Sequence, residues 1–136
     1  MLKSNVHNGF RHSLSMTLAV SQMVLAVLYL FPGVITPASP TTTRIVLELA
    51  RVAPVWTISF GLTGLAVILG LAKHKLLHVA HAATASSWIG FAFALELSAW
   101  ANHGTHLLPV LAGSLAAVNL IIAGNYSRDV GREEAR

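Results

Sequence analysis

The chain has 136 residues and no cysteine, and only 10% of its residues are charged. The absence of cysteine excludes disulfide bonds and thiolate metal sites. The low charge separates the chain from soluble domains, in which about 25% of residues are charged. The motifs of nucleotide-binding, serine-hydrolase and zinc-protease sites are also missing, so the sequence predicts neither an enzyme nor a cofactor.

Long apolar stretches fill most of the chain, and 54% of its residues are hydrophobic. An α-helix of about 20 residues crosses the apolar core of a bilayer. Short polar links between the last three stretches predict that neighbouring helices run antiparallel. We therefore predict an all-α integral membrane protein with a single transmembrane domain over residues 1–136. It is an up-down four-helix bundle with short loops and spans at approximately 13–35, 52–72, 79–101 and 107–124.

The distribution of lysine and arginine predicts the orientation, because cytoplasmic links carry an excess of these residues. Seven of the nine basic residues flank span ends that share one side of a four-span bundle, whereas Arg44 and Arg51 lie on the other side. Both termini are therefore predicted in the cytoplasm and the protein in the cytoplasmic membrane, with lipid headgroups and not nucleic acid as its basic partner. Arg44, Glu48 and Arg51 share one helical face, which indicates a helix start at the outer surface with Thr43 as its N-cap.

Aromatic residues lie at the predicted ends of the spans. Tyr29, Trp56, Trp100 and Tyr126 are expected to anchor the helices at the two membrane surfaces. Trp88 lies in the middle of the third span, where packing between helices is the expected role.

The third span carries a small residue at every fourth position. Small side chains allow another helix backbone to approach closely, so these positions predict a helix-packing ridge. The partner is either another span of the same chain or a second copy, which indicates a homo-oligomer or a larger membrane complex. The ridge consists of Ala82, Ser86, Gly90, Ala94 and Ser98.

Glu96 is the carboxylate that lies within a predicted span. His78, Glu96 and, beyond the helix end, His103 fall on one angular face. This polar face predicts either a lane for ions or protons or side chains that reach the headgroup layers. Gln22 and Asn119 are expected to be buried, with hydrogen bonding between helices as the simpler role.

Three histidines, His74, His78 and His81, are spaced at i, i+4 and i+7. A structural zinc site needs four ligands, and no cysteine or nearby carboxylate completes this set. A bis-histidine haem site needs a second histidine on a facing helix at the same depth. We therefore predict no metal and no haem, and regard the histidines as groups that change charge near neutral pH.

In its small size, its several spans and its short charged tail from Arg128 to Arg136, the chain resembles the holin-type membrane proteins of phages that infect actinobacteria. The resemblance covers the hydropathy layout and no motif, so it assigns no functional residue. It implies self-assembly into a membrane lesion or pore. Two alternatives remain open: an accessory subunit of a respiratory or transport complex, and a membrane protein that excludes phages.

Overall fold

The computed structural model describes residues 2–31, 40–73 and 76–134, with side chains for 9–31, 41–73 and 76–132. These residues form helices and no strand, which confirms the all-α class. There is one helix more than the four predicted: α1 Leu2–Leu30, α2 Pro40–Val52, α3 Val55–Ala72, α4 Leu77–Ala101 and α5 Leu107–Glu134. Residues 32–35, predicted to end the first span, and His74 lie outside the described residues.

Three of the described helices are long and apolar enough to cross a membrane: Gly9–Leu30 within α1, Val55–Ala72 of α3, and Leu107–Arg132 of α5. These helices agree with the predicted membrane class. Helix α4 has 25 residues but is not one of the three, since it carries histidine, serine and glutamate among its apolar residues. It packs against α2, α3 and α5, so protein contacts satisfy part of its polar content.

Helices α4 and α5 form the largest interface of the fold. They run antiparallel, because Glu96 pairs with His106 beside their connecting turn and His81 bonds Asn119 farther along. In that turn, His103 adopts a left-handed φ of 53°. We call the end of the bundle with the start of α1 and the end of α5 the terminal end. The opposite end, where α2 lies, is the α2 end.

Five aromatic side chains from α1, α3 and α4 fill the half of the bundle nearest α2. Ring centroids lie 4.9 Å apart for Phe60 and Trp88, and 5.0 Å apart for Trp56 and Phe91. Tyr29 meets Phe91 edge to face at 5.8 Å. Trp88 therefore packs between helices as expected, but Tyr29 and Trp56 are buried and not surface anchors. We call these five residues the aromatic cluster.

Helix α2 is held against the turn between α4 and α5 by hydroxyl groups. The Thr42 hydroxyl accepts a hydrogen bond from the Thr105 N–H at 3.0 Å and donates to the Thr105 carbonyl at 3.1 Å. A Cβ on Gly104 would lie 2.5 Å from Thr42 Oγ1, so this close approach requires glycine. The helix already begins at Pro40, so the predicted N-cap at Thr43 is wrong. Proline is favoured at the first position of a helix, and the hydrogen bonds of Thr42 hold this first turn in place. The helix therefore begins before Thr43.

The Ser98 hydroxyl makes the second connection between α4 and α2. It donates to the Thr41 carbonyl at 2.8 Å and accepts from the Ile45 N–H at 3.2 Å. Thr41 and Ile45 are the i and i+4 partners of one helical hydrogen bond, so the hydroxyl bridges the first turn of α2. Trp56 adds a third connection, with its indole N–H donating to the Val46 carbonyl at 3.0 Å.

Glycines of α3 allow α1 to approach closely. A Cβ on Gly64 would lie 3.2 Å from the Ala19 carbonyl oxygen and 3.2 Å from Met23 Sδ, whereas a Cβ on Gly61 would meet Ala26 Cβ at an ordinary 3.6 Å. Gly61 thus faces a later residue of α1 than Gly64 does, so the two helices run antiparallel.

We expect Gly64→Ala to lower the free energy of unfolding by about 1–3 kcal/mol, because an added methyl group overpacks against backbone that cannot yield. Gly61→Ala is the matched control and should leave stability unchanged or slightly higher. Equilibrium unfolding of the detergent-solubilised variants measures both. Equal stabilities would contradict the close approach at Gly64.

Candidate functional site

A buried polar cluster lies in the half of the bundle nearest the terminal end, and His81 is at its centre. His81 is fully buried, as are its two hydrogen-bond partners. Its Nδ1 lies 2.8 Å from Asn119 Oδ1 of α5, and its Nε2 lies 2.9 Å from Ser15 Oγ of α1. One imidazole ring therefore joins three helices, with both ring nitrogens bonded.

The hydrogen bonds of Asn119 determine which ring nitrogen of His81 carries the proton. The Asn119 amide nitrogen donates to the Leu115 carbonyl at 2.8 Å, so the amide oxygen faces His81 and accepts. His81 Nδ1 must then carry the hydrogen, and the neutral ring accepts at Nε2 from the Ser15 hydroxyl. The cluster has one consistent direction, from Ser15 through His81 to Asn119.

Tyr126, Arg11 and Asp129 extend the cluster toward the terminal end. The Tyr126 ring is stacked on the His81 ring, with centroids 6.0 Å apart and planes 10° apart. The Arg11 guanidinium lies 5.0 Å from the same Tyr126 centroid and forms an ion pair with Asp129 at 2.7 Å. Arg11 and Ser15 are one turn apart on α1, so two neighbouring side chains attach α1 to α4 and α5.

Polar atoms without a hydrogen-bond partner lie deeper in the same half of the bundle. Gln22 is 1% exposed, and neither amide atom of its side chain is bonded. The Thr84 hydroxyl, one turn beyond His81, is also buried without a partner. Buried polar groups normally bond protein or water, so this region can hold water. The other predicted buried polar residue, Asn119, is bonded to His81.

A groove separates α1 from α5 on the side of the cluster toward α2. It has a volume of about 430 Å³, with Trp88 of α4 at its floor. Its walls include Leu18 and Leu25 of α1 and Leu115 of α5. Helix α1 packs mainly against α3 and approaches α4 and α5 closely at few points. The gap between α1 and α5, which we call the seam, is therefore open at the groove. It is closed nearer the terminal end, where Arg11 and Ser15 make their contacts.

The order of Ser15, His81 and Asn119 matches the relay of a serine hydrolase, but the surroundings do not. Ser15 is fully buried inside a helix, where backbone N–H groups bond carbonyls four residues earlier and are not available to an oxyanion. Among the described residues, no three histidine or carboxylate side chains converge on a metal position. The arrangement instead attaches α1, α4 and α5 to one another through His81.

The predicted ridge on α4 divides into two parts. Ala94 and Ser98 are buried, with Ser98 bonded to α2. Ala82, Ser86 and Gly90 are exposed, and a Cβ on Gly90 would meet no atom within 4 Å. In the described chain, no other helix packs on these three, which we call the exposed small-residue face.

The predicted polar face does not form one lane. Glu96 is 49% exposed and bonds His106, at 2.9 Å, and not His103. His78 lies near the terminal end, with a buried Nδ1 that has no hydrogen-bond partner. Ala85 and Ile89 lie between them on the same angular face of α4. Ala85 is buried whereas Ile89 is 52% exposed, so the face crosses from the interior to the surface. Glu96 and His78, at the two ends of this face, therefore have different surroundings.

Sequence reasoning missed the cluster because its members come from α1, α4 and α5. His81 lies 66 residues from Ser15 and 38 from Asn119. One signal was available: Ser15 and Gln22 are seven residues apart, which places both on one face of α1. That shared face indicates a polar partner on a neighbouring helix.

We expect Ser15→Ala to lower the free energy of unfolding by about 1–3 kcal/mol, because it leaves the buried His81 Nε2 without a donor. Ser21→Ala is the matched control on the same helix, since the exposed Ser21 hydroxyl bonds only the Thr17 carbonyl of its own helix. Unfolding in detergent compares the two. A control as unstable as Ser15→Ala would contradict the assigned role of Ser15.

Comparison with known proteins adds no relative. No protein-family model, no curated protein and no solved structure matches the chain. The function must therefore be argued from the fold and from the buried polar cluster themselves.

Proposed function

We propose that the protein is a four-span up-down bundle of the cytoplasmic membrane with both termini in the cytoplasm. Three apolar helices and the antiparallel contacts of α4 support it, since α4 has nearly the length of α5 and lies against helices that are able to span. Charge supports the orientation: Arg11, Lys73, Arg128 and Arg132 belong to the terminal end, whereas α2 and its two arginines belong to the other.

In this bilayer, copies of the protein assemble and open a lesion or pore between them, as in holin-type proteins. The aromatic cluster supports a passage between copies, because ring centroids 4.9 to 6.4 Å apart occlude the interior of a single bundle. A continuous path through one copy would require Phe60, Trp88 and Phe91 to separate.

The exposed small-residue face is the observation on which the assembly proposal rests. Ala82, Ser86 and Gly90 form a shallow surface about two turns long on α4, and small side chains promote helix association in lipid. Almost all of the described residues lie in helices. Formation of a lesion suits such a chain, because it requires no domain outside the membrane. An accessory subunit would use the same face to bind a different protein.

For the orientation, we expect a membrane-impermeant maleimide to label Arg51→Cys in intact cells and to label Arg132→Cys only after the membrane is opened. The chain contains no other cysteine, so each label reports one position. Labelling of Arg132→Cys in intact cells would reverse the proposed topology.

For the lesion, we expect inducible expression in bacteria to collapse the membrane potential and stop growth, and Gly90→Leu to delay or abolish the collapse. Gly113→Leu is the matched control. A Cβ on Gly113 also meets no atom within 4 Å, and Gly113 lies at a similar depth on α5, between Asn119 and His106.

The two glycine variants separate the possible outcomes. Loss of activity in Gly90→Leu but not in Gly113→Leu, at equal membrane levels, supports assembly through α4. A normal potential with verified insertion of the wild type would overturn the lesion and favour an accessory subunit or a phage-exclusion protein, which should then copurify with a host protein.

A further inference from the structure

We propose that His81 is a proton-binding site, and that its protonation releases the terminal end of α1 from α5. The proposal concerns a single copy of the protein, so it holds or fails whether or not copies assemble. It rests on the hydrogen bonds of His81, on the charges around it and on the seam between α1 and α5.

The hydrogen bonds of His81 can accommodate a second proton. In the neutral form, Ser15 donates to Nε2; after a proton from water binds Nε2, that nitrogen donates to Ser15 Oγ. The Ser15 hydroxyl then turns to the Arg11 carbonyl four residues earlier. Thr17 and Ser21 on the same helix already bond carbonyls in this way, each at 2.9 Å. No hydrogen bond is lost, so the buried ring has two satisfied states.

The charges around His81 distinguish the two states. Helix α1 contributes Arg11, α5 contributes Asp129 and Tyr126, α4 contributes His78, and α3 contains no ionisable residue. Asp129 already bonds Arg11 at 2.7 Å, so it neutralises one cation and not two. Protonation would place a second cation against the Tyr126 ring that Arg11 contacts at 5.0 Å. His81 is fully buried whereas Arg11 and Asp129 are partly exposed, so the second charge arises on the less solvated side of the Tyr126 ring and repels the Arg11 guanidinium.

Repulsion acts where α1 is weakly held. Along its length α1 packs on α3, and its close approaches to α4 and α5 are few; Arg11–Asp129 and Ser15–His81 are among its polar contacts with them. Toward the α2 end, the groove already separates α1 from α5. Displacing Arg11 therefore extends this groove to the terminal end, whereas the α1–α3 contact persists.

Spin-label distances across the seam test the coupling. Ser13 and Ser127 are exposed, one on each side of the seam near the terminal end, and the chain has no native cysteine to remove. We expect the distance between labels on Ser13→Cys and Ser127→Cys to lengthen by several ångströms when the full chain in lipid nanodiscs is taken from about pH 7.5 to about pH 5. His12→Gln, which removes an exposed histidine of α1, should keep this change, and His81→Gln should abolish it.

Nitrogen NMR of histidine-labelled protein measures protonation itself. We expect the signals of one imidazole to change from those of the Nδ1–H form to those of the doubly protonated form over the same pH range. These signals should be absent from the spectrum of His81→Gln. Should His81→Gln fail to fold, Arg11→Gln serves instead, because it should keep the protonation and lose the distance change. Three results would each overturn the proposal: a ring that stays neutral, a distance between the labels that stays constant, or a change of that distance with pH that persists in His81→Gln or Arg11→Gln.

Discussion

A buried imidazole that must bond at both nitrogens is the constraint on which this bundle depends. In an apolar interior, an unbonded polar atom raises the free energy by the whole cost of its desolvation. His81 meets this requirement with one partner on α5 and another on α1. The requirement fixes the rotation of three helices about their axes and the depth at which they meet, which apolar packing alone leaves adjustable.

The bundle interior is divided into two different environments. Toward α2, aromatic rings and hydroxyl bonds close the interior and join α2, α3 and α4. Toward the terminal end, a smaller apolar cluster around Val67 and Leu77 lies beside buried polar groups, of which Gln22 and Thr84 lack protein partners. The first half has the features of a rigid scaffold. The second has weaker attachments and more water-compatible groups, so motion and chemistry are expected there.

Hydropathy was sufficient to predict the helical class, the membrane and the approximate positions of the long helices, since these depend on composition over about 20 residues. It was not sufficient for α2, whose start depends on hydrogen bonds of Thr42 with Thr105 and of Thr41 with Ser98, each across more than 50 residues of sequence. The sequence also did not show that Gly90 is exposed whereas Ser98 is buried. A four-residue repeat moves gradually around the helix, so neighbouring helices cover only some of its positions. Helical periodicity placed Glu96 and His78 on one face of α4, but neighbouring helices cover only part of that face.

The bridge between Ser98 and the first turn of α2 has a consequence for biosynthesis. Chains emerge from the ribosome in sequence order, so α2 is made well before the end of α4 that holds it. Until Ser98 has been made and α4 has packed against α2, α2 lacks the hydroxyl that joins its Thr41 carbonyl and Ile45 N–H. During that interval, the side of α2 that packs against α4 is uncovered. The closing of the bundle at this end is therefore among the last steps of folding, and it requires that α4 has formed as far as Ser98.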